Sequence, residues 1–159
     1  MYPSTFGQAD HPDCCPVCGT ALAIEAANGS GRTCPKCKRP LWFVRKAVED
    51  AVVITFLTGL VSAHATPQQV DELLAAIGPC ARVVLDLSRL RFMPASFLKL
   101  LVLLNHRLDP RICTRMCGLD AMNSTALRRT RIDRLFDICE NQEEALEHDL
   151  DAPRVVKHD

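Results

Sequence analysis

The chain has 159 residues, no formal net charge and 48% hydrophobic residues. This length fits one medium domain with or without a small module, and the apolar content suffices for a packed core. The balanced charge gives no general attraction to nucleic acid or to an anionic membrane. The longest apolar run, residues 97–104, is interrupted by Lys99 and is far shorter than the ~18 residues of a membrane span. Since polar residues and prolines follow Met1, we expect no signal peptide, no membrane insertion and a cytoplasmic location.

Two cysteine pairs mark the N-terminal part of the chain. Residues 1–13 lack hydrophobic periodicity and are predicted to form a flexible tail, and residues 14–42 follow as a separate module. The module has the spacing C-x2-C-x15-C-x2-C, which is typical of a structural zinc site. Two disulfides are the alternative, but a reducing compartment favours metal. We predict a small four-cysteine zinc ribbon whose cofactor is zinc and whose ligands are Cys15, Cys18, Cys34 and Cys37.

Local residues support this module. Gly19 follows the first pair and suits a tight turn, because glycine adopts a positive φ without a steric penalty. Residues 28–31 read N-G-S-G, a signal for a hairpin turn between the two pairs. Cys14 does not fit the two-residue spacing. A ribbon this small buries too little surface to fold alone, so the metal is expected to supply much of its stability.

Residues 43–152 alternate between strand and helix patterns, and residues 153–159 form a second tail. One helix has especially clear boundaries, because Thr66 and Gln69 form a predicted capping box and Gly78 follows the last apolar position. The order ββαβαβαβα predicts an α/β fold, a mixed β-sheet with helices on one or both faces. The predicted strands are residues 43–48, 51–57, 82–87, 111–117 and 136–139, and the predicted helices are residues 67–77, 96–108, 120–129 and a segment that begins after Asn141.

Residues 83–98 carry a family signature. They read V-V-L-D-L-S-R-L-R-F-M-P-A-S-F-L and resemble the central strand, loop and helix of STAS domains, the sulfate-transporter and anti-sigma-factor-antagonist modules. The usual pattern of that family is D-L-S-x-x-x-F-[ML]-D-S-S-G-L. Near the end of the chain, L-F-D-I at residues 135–138 and E-E-A-L at residues 143–146 are similar to the closing strand and helix of the family. The resemblance spans residues 43–150 and implies a STAS-like mixed sheet with helices.

The resemblance also implies a function. STAS domains of this type are non-catalytic regulatory modules that bind a protein partner, here of anti-sigma or switch-kinase type. The second serine of the pattern falls on Ser96, which makes Ser96 a candidate for phosphorylation, and a phosphate at a helix N-terminus faces free N–H groups. The chain departs from the pattern at Pro94, Ala95 and Phe97, which replace its Asp, first Ser and Gly. The alternative is that Ser96 is only an N-cap, which accepts a hydrogen bond from the first helical turn.

The helix over residues 96–108 is more apolar than one buried face requires. Phe97, Leu100 and Leu104 form the predicted core stripe, whereas Leu98 and Val102 lie off it. Either both sides of the helix are buried, or the spare residues form a surface for a partner, which the resemblance favours. The predicted partner-binding residues are Pro94, Ala95, Ser96, Leu98, Lys99 and Val102.

The rest of the chain carries no catalytic pattern. It has no Gly-rich phosphate loop, no nucleophile elbow and no arguable Ser-His-Asp arrangement, so we expect no enzyme. A basic patch near the third helix is either a solvated face or a contact for an acidic partner or a phosphate; it comprises Arg128, Arg129, Arg131 and Arg134. Four further cysteines are expected to be buried thiols that pack as small apolar residues, namely Cys80, Cys113, Cys117 and Cys139.

Two other functions remain open from the sequence. Basic residues outnumber acidic ones by six to three in residues 1–46, but four thiolates on one zinc contribute about −2. Nucleic acid is therefore not the expected partner, and a zinc-ribbon protein associated with nucleic acid or a transcription complex is the alternative. A soluble STAS subunit of a membrane transporter is a third possibility. No pattern indicates the oligomeric state.

Overall fold

A computed structural model describes residues 13–22, 33–57, 66–91 and 93–147. The turn predicted at residues 28–31, residues 1–12 of the N-terminal tail and the C-terminal tail lie outside these described residues. The strands are β1 (Phe43–Val48), β2 (Ala51–Phe56), β3 (Arg82–Asp86), β4 (Cys113–Cys117) and β5 (Asp137–Ile138), and the helices are α1 (Pro67–Ile77), α2 (Ala95–Arg107), α3 (Ala121–Arg129) and α4 (Gln142–Leu146). A short 3-10 helix at Ile132–Arg134, which no sequence pattern indicates, precedes β5.

The five strands form one mixed sheet in the order β1-β2-β3-β4-β5. Strands β1 and β2 are antiparallel, because Glu49 and Asp50 reverse the chain between the paired residues Val48 and Ala51. Glu49 has a φ of 54°, the left-handed conformation that tight hairpin turns use. The other neighbouring strands are parallel, since a helix crosses between each pair and returns the chain to the same end of the sheet. The predicted mixed α/β fold is confirmed.

Helices cover both faces of this sheet. Successive strand residues point to opposite faces, so Ile54 and Leu85 pack in the larger core with residues of α1 and α2. Val53 and Val84 face the other way and pack against Ala145 of α4. Strand β2 is buried along its whole length and β3 along most of it, which accounts for their almost continuous apolar sequence.

The capping box predicted for α1 is present. Thr66 Oγ1 accepts a hydrogen bond from the Gln69 N–H at 3.3 Å, and Gln69 Oε1 accepts one from the Thr66 N–H at 3.1 Å. Side chains also cap α3 and α4, where Asp120 and Asn141 are the capping residues. Each of these caps satisfies a backbone N–H that has no partner within the helix.

Strand β4 begins at Cys113 rather than at Arg111 as predicted. Asp109 Oδ1 accepts a hydrogen bond from the Arg111 N–H at 2.9 Å, and the Ile112 N–H donates to the Asp109 carbonyl. These bonds hold the chain in a turn before the strand, because a short Asp side chain competes with strand pairing for nearby N–H groups.

The cysteine module is docked on the sheet. Cys14 forms an antiparallel bridge with Arg45 on the outer edge of β1. The nitrogen-to-oxygen distance is 2.6 Å from the Cys14 N–H to the Arg45 carbonyl and 3.0 Å from the Arg45 N–H to the Cys14 carbonyl. Val44 of β1 and Leu57 pack with the buried Cys15 and with Cys34. The module thus covers part of an edge strand that otherwise presents unpaired backbone groups.

The helices are short. Helix α2 has 13 residues and α1 has 11, against the roughly 20 residues that span a bilayer. Within the described part of the chain, no helix has the length and apolar character needed to cross a membrane.

Candidate metal centre and docking helix

The four predicted metal ligands meet at one place in the fold. The Sγ atoms of these cysteines all lie within 4.8 Å of one another. The Sγ–Sγ distance is 3.7 Å between Cys15 and Cys37 and 3.5 Å between Cys18 and Cys34. A tetrahedral zinc with Zn–S bonds of about 2.3 Å separates its sulfur ligands by roughly 3.8 Å. The sulfurs are therefore spaced for a shared metal ion rather than for disulfide bonds, which need about 2.05 Å.

Both cysteine pairs lie in turns of the same design. The Gly19 N–H donates to the Cys15 carbonyl and the Lys38 N–H donates to the Cys34 carbonyl, each at 2.9 Å. Gly19 has a φ of 74° and Lys38 a φ of 62°. Glycine makes the first turn recognisable in the sequence, whereas Lys38 adopts the same left-handed backbone at a cost of about 1–2 kcal/mol. The equivalent turns bring the two pairs of thiols together.

Hydrogen bonds lower the pKa of two of the four thiols in the cluster. Thr20 Oγ1 lies 3.2 Å from Cys18 Sγ, and hydrogen bonding by Thr20 lowers the pKa of Cys18 to about 6. The backbone N–H of Cys37 lowers the pKa of Cys34. Burial acts in the opposite direction and raises the pKa of Cys15 to about 11. Since metal ligation requires thiolates, this site fits a cation that stabilises all four of them.

Helix α2 begins without a side-chain cap. Its N-cap is Pro94, and Ser96 is the second residue of the helix. The Ser96 Oγ is enclosed and has no hydrogen-bond partner among the residues that the structure describes. The alternative in which Ser96 caps the helix is therefore wrong, because Pro94 occupies the cap position and offers no side-chain oxygen.

The partner-binding residues predicted on α2 do not all share one side of the helix. Ala95, Leu98, Lys99 and Val102 follow the spacing i, i+3, i+4, i+7 and form one face, which we call the α2 face. Ala95 and Lys99 are exposed, while Leu98 and Val102 are half-buried and contact the core. Ser96 lies about 200° around the helix from Leu98 and is turned away from this face. Pro94, half-buried, lies at the N-terminal end of the α2 face.

A polar network fixes the loop that leads to α2. Asp86 is only 7% exposed and accepts hydrogen bonds from the Ser88 N–H at 2.9 Å and from Gln142 Nε2 at 3.0 Å. Gln142 Oε1 accepts a hydrogen bond from Lys46 Nζ at 2.6 Å. This network joins the end of β3 to α4 and β1. An acidic residue at the end of an apolar strand was the one sequence signal of it, since a buried carboxylate needs partners.

Asp13, the residue before the cysteine module, lies near the charged groups of this network. Burial raises the pKa of Asp13, although Lys46 and Arg89 act to lower it and Asp86 adds to the rise. Within the described ranges of the chain, the enclosed Asp13 Oδ1 has no hydrogen-bond partner. The charges of Lys46 in β1 and Arg89 in the loop before α2 therefore act on Asp13, the residue that precedes the cysteine module.

Solved structures of anti-sigma factor antagonists share this fold. An anti-sigma factor antagonist from Mycobacterium paratuberculosis has a TM-score of 0.56 and 19% identity over 65% of this chain and 89% of that chain. An anti-sigma-factor antagonist (STAS) domain protein from Planctomyces limnophilus has a TM-score of 0.54 and 23% identity over 65% of this chain and 94% of that chain. The sequence matches no protein-family model and no curated protein. The chain therefore has the fold of STAS domains, together with a four-cysteine cluster that fits an N-terminal zinc ribbon.

Proposed function

We propose that this protein is a non-catalytic regulatory module of anti-sigma factor antagonist type, which acts by binding a protein partner of anti-sigma or switch-kinase type. The observation that carries the proposal is the STAS fold, shared with anti-sigma factor antagonists of known structure, in combination with an α2 face that the core leaves partly open. Among the described residues, the titratable groups with strongly shifted pKa values are the ribbon thiols, Cys117 and the surface residue Asp109.

The α2 face is suited to reversible docking. Leu98 and Val102 keep part of their apolar surface in solvent, and the exposed Ala95 and Lys99 lie beside them. A patch of small and aliphatic side chains with a charged residue at its rim is the usual composition of a transient protein interface. Asp86 accepts a hydrogen bond from Ser88 at the start of the loop before the helix, and the α2 face lies on a formed helix, so little ordering entropy opposes binding.

Affinity purification from the native cells tests the docking surface. The full-length wild type is compared with Leu98→Asp, which places a charge on the α2 face, and with Ile138→Asp, which places the same charge on an exposed apolar residue of β5. We expect the wild type and Ile138→Asp to recover the same partner and Leu98→Asp to lose it, because burying an unpaired carboxylate in an interface is costly. Recovery of the same proteins by all three chains refutes docking through this face.

We propose further that phosphorylation of Ser96 switches this docking. Ser96 is in the first turn of α2, where free N–H groups and the positive end of the helix dipole accommodate a phosphate. Its Oγ is enclosed, so a kinase reaches it only when the first turn opens. The enclosed position of the Oγ has no room for a phosphate, so the modified side chain turns outward to the free N–H groups. The start of the α2 face changes shape as a result.

Two variants test the switch. Ser96→Glu introduces a negative charge and is expected to weaken recovery of the partner, whereas Ser96→Ala is expected to recover it as the wild type does. Mass spectrometry after incubation with the recovered kinase is expected to find phosphate on the wild type and none on Ser96→Ala. Equal modification of both chains, or full partner recovery by Ser96→Glu, rules out the switch.

We propose zinc as the metal of the cysteine cluster. Zinc favours four thiolates in a closed tetrahedral site, and the sulfur spacing of the cluster suits that geometry. The ligands are Cys15, Cys18, Cys34 and Cys37, and the zinc holds the module in shape on the edge of β1.

A further inference from the structure

Helices α2 and α3 enclose an apolar groove on the surface. It has a volume of about 470 Å³ and is open to solvent along one side. Leu98 forms the α2 wall, and Met122 of α3, which is 69% exposed, places a second apolar side chain on the groove. In the described part of the chain, the residues that line this α2–α3 groove are Leu98, Met122, Thr125, Ala126, Arg129 and Thr130.

The lining of α3 follows helical spacing. Met122, Thr125, Ala126 and Arg129 lie at i, i+3, i+4 and i+7, so they form one stripe along the helix. The opposite side of α3 holds the buried Leu127. Helix α3 thus presents a stripe that begins with a flexible apolar side chain and ends with a cation. Methionine adapts its shape to different partners, and an open groove between two helices fits a third helix.

The residues around the groove carry an excess of positive charge. Residues 120–134 contain four arginines and two aspartates, and the exposed Lys99 lies beside Leu98 on α2. Among the described residues, the ion pairs involve Arg82, Arg107 and Arg111. Arg128 instead donates to the Ser124 hydroxyl. None of these four arginines therefore forms an ion pair with a described carboxylate, and four arginines against two aspartates leave a net charge of +2 on this segment.

Interaction with the helix dipole explains the positions of only some of these arginines. Arg128 and Arg129 lie in the last turn of α3, where cations interact favourably with the helix dipole. That effect falls off within one turn, so it does not explain Arg131 and Arg134, which are exposed beyond the helix. Nor does it explain why the exposed Met122 lies at the other end of the same stripe.

We infer that the α2–α3 groove binds an acidic amphipathic helix of the protein partner. Aliphatic side chains of that helix occupy the space between Leu98 and Met122, and its carboxylates face Arg129 and Lys99. This inference rests on the proposed function, because it names the chemistry of the partner that docks beside the α2 face. The apolar contact supplies affinity, and the charges supply orientation and association rate.

A selection with synthetic peptides tests the inference without a cellular partner. A library of amphipathic-helix peptides, with polar positions randomised equally among Glu, Lys and Gln, is depleted on the full-length Met122→Asp variant and then selected on the full-length wild type. We expect Glu to be enriched beside the apolar anchors. The selected peptides are expected to bind Arg129→Glu roughly tenfold more weakly than the wild type, because an attractive charge pair becomes a repulsive one.

Charge reversal provides the control. Replacing Glu by Lys in a selected peptide is expected to restore binding to Arg129→Glu and to weaken binding to the wild type. Arg39→Glu changes an exposed arginine of the cysteine module by the same charge and is expected to bind like the wild type. Three results each overturn the inference: no enrichment of Glu, equal binding of acidic peptides to wild type and Arg129→Glu, or no peptide that distinguishes Met122→Asp from the wild type. Because no cellular partner takes part, the outcome is independent of the Leu98→Asp purification, and either proposal can fail alone.

Discussion

Gly118 shows how a single residue positions the loop before α2. It follows β4 with a φ of 77°, and a Cβ there would lie 2.6 Å from the backbone N of Ser88 and 2.8 Å from Asp86 Oδ1. The Ser88 N–H and Asp86 Oδ1 are hydrogen-bonded to each other. Glycine therefore lets the chain after β4 pack directly against this bond, which an added Cβ would displace.

Substituting Gly118→Ala is expected to lower the free energy of unfolding by roughly 2–4 kcal/mol, because backbone strain is added to the disruption of a partly buried hydrogen bond. Gly78→Ala is the matched control. Gly78 also has a positive φ, but its nearest neighbour to an added Cβ is 3.9 Å away, so only strain of roughly 1–3 kcal/mol is expected. Urea denaturation followed by circular dichroism measures both, and equal losses would contradict this account.

Cys117 illustrates a thiol that the fold makes inert. Burial, with a contribution from the Asp86 carboxylate, raises its pKa to about 12, so the thiol is neutral at pH 8. Since the thiolate is the reactive form, iodoacetamide at pH 8 is expected to leave Cys117 unmodified in the folded protein and to alkylate it in urea. Peptide mass spectrometry measures both states. Alkylation at similar rates in the two states would show that Cys117 is not protected.

At the scale of the elements, different interactions fix the N-termini of α1 and α2. Helix α1 is capped by a local box between Thr66 and Gln69, which a sequence reveals because both partners lie within one turn. Helix α2 begins at Pro94 without a side-chain cap. Its position depends instead on the buried Phe97 and Leu100, which pack against the sheet, and on the loop held by Asp86.

The cap of α1 gives a quantitative prediction. Thr66→Ala removes the hydroxyl that accepts from Gln69 and is expected to lower the free energy of unfolding by about 1 kcal/mol. Thr66→Ser keeps a hydroxyl at the same place and is expected to retain most of the stability. Equilibrium denaturation of the three chains in urea makes the comparison, and an unchanged midpoint for Thr66→Ala would mean that the box contributes nothing.

At the scale of the whole molecule, the cysteine module and the sheet form one structure. Cys14 pairs with the edge of β1, and Cys15 and Cys34 pack with Val44 and Leu57. A metal that holds the four thiols in place therefore also holds the cover of this edge. Loss of the metal is expected to free the edge first, because the module has little core of its own.

Metal removal tests this coupling. After chelation, the Arg45 amide, which donates to Cys14, is expected to exchange hydrogen faster, while the amides of β3 keep their protection. Elemental analysis is expected to find about one zinc per chain in the wild type and in Cys80→Ser, and far less in Cys34→Ser. Unchanged exchange at Arg45 after complete metal loss would show that the module stays docked without its ion.

The order and bounds of most elements could be predicted from the sequence, because hydrophobic period, turns and caps are properties of neighbouring residues. Short-range patterns failed at several points, among them the 3-10 helix at Ile132–Arg134, which no pattern indicates. Strand β4 starts later than its apolar sequence suggests, since Asp109 holds a turn, and Lys38 adopts a left-handed backbone that its residue type does not announce.

What the sequence determined by itself is local chemistry: four cysteines in two Cys-x-x-Cys turns, the box that starts α1, and the strand–loop–helix pattern that resembles STAS domains. Only the tertiary structure decided where these features act. It encloses the Ser96 hydroxyl and places Gly118 against Asp86. It also docks the cysteine module on β1. These outcomes depend on contacts between residues far apart in the chain, and no pattern of neighbouring residues encodes them.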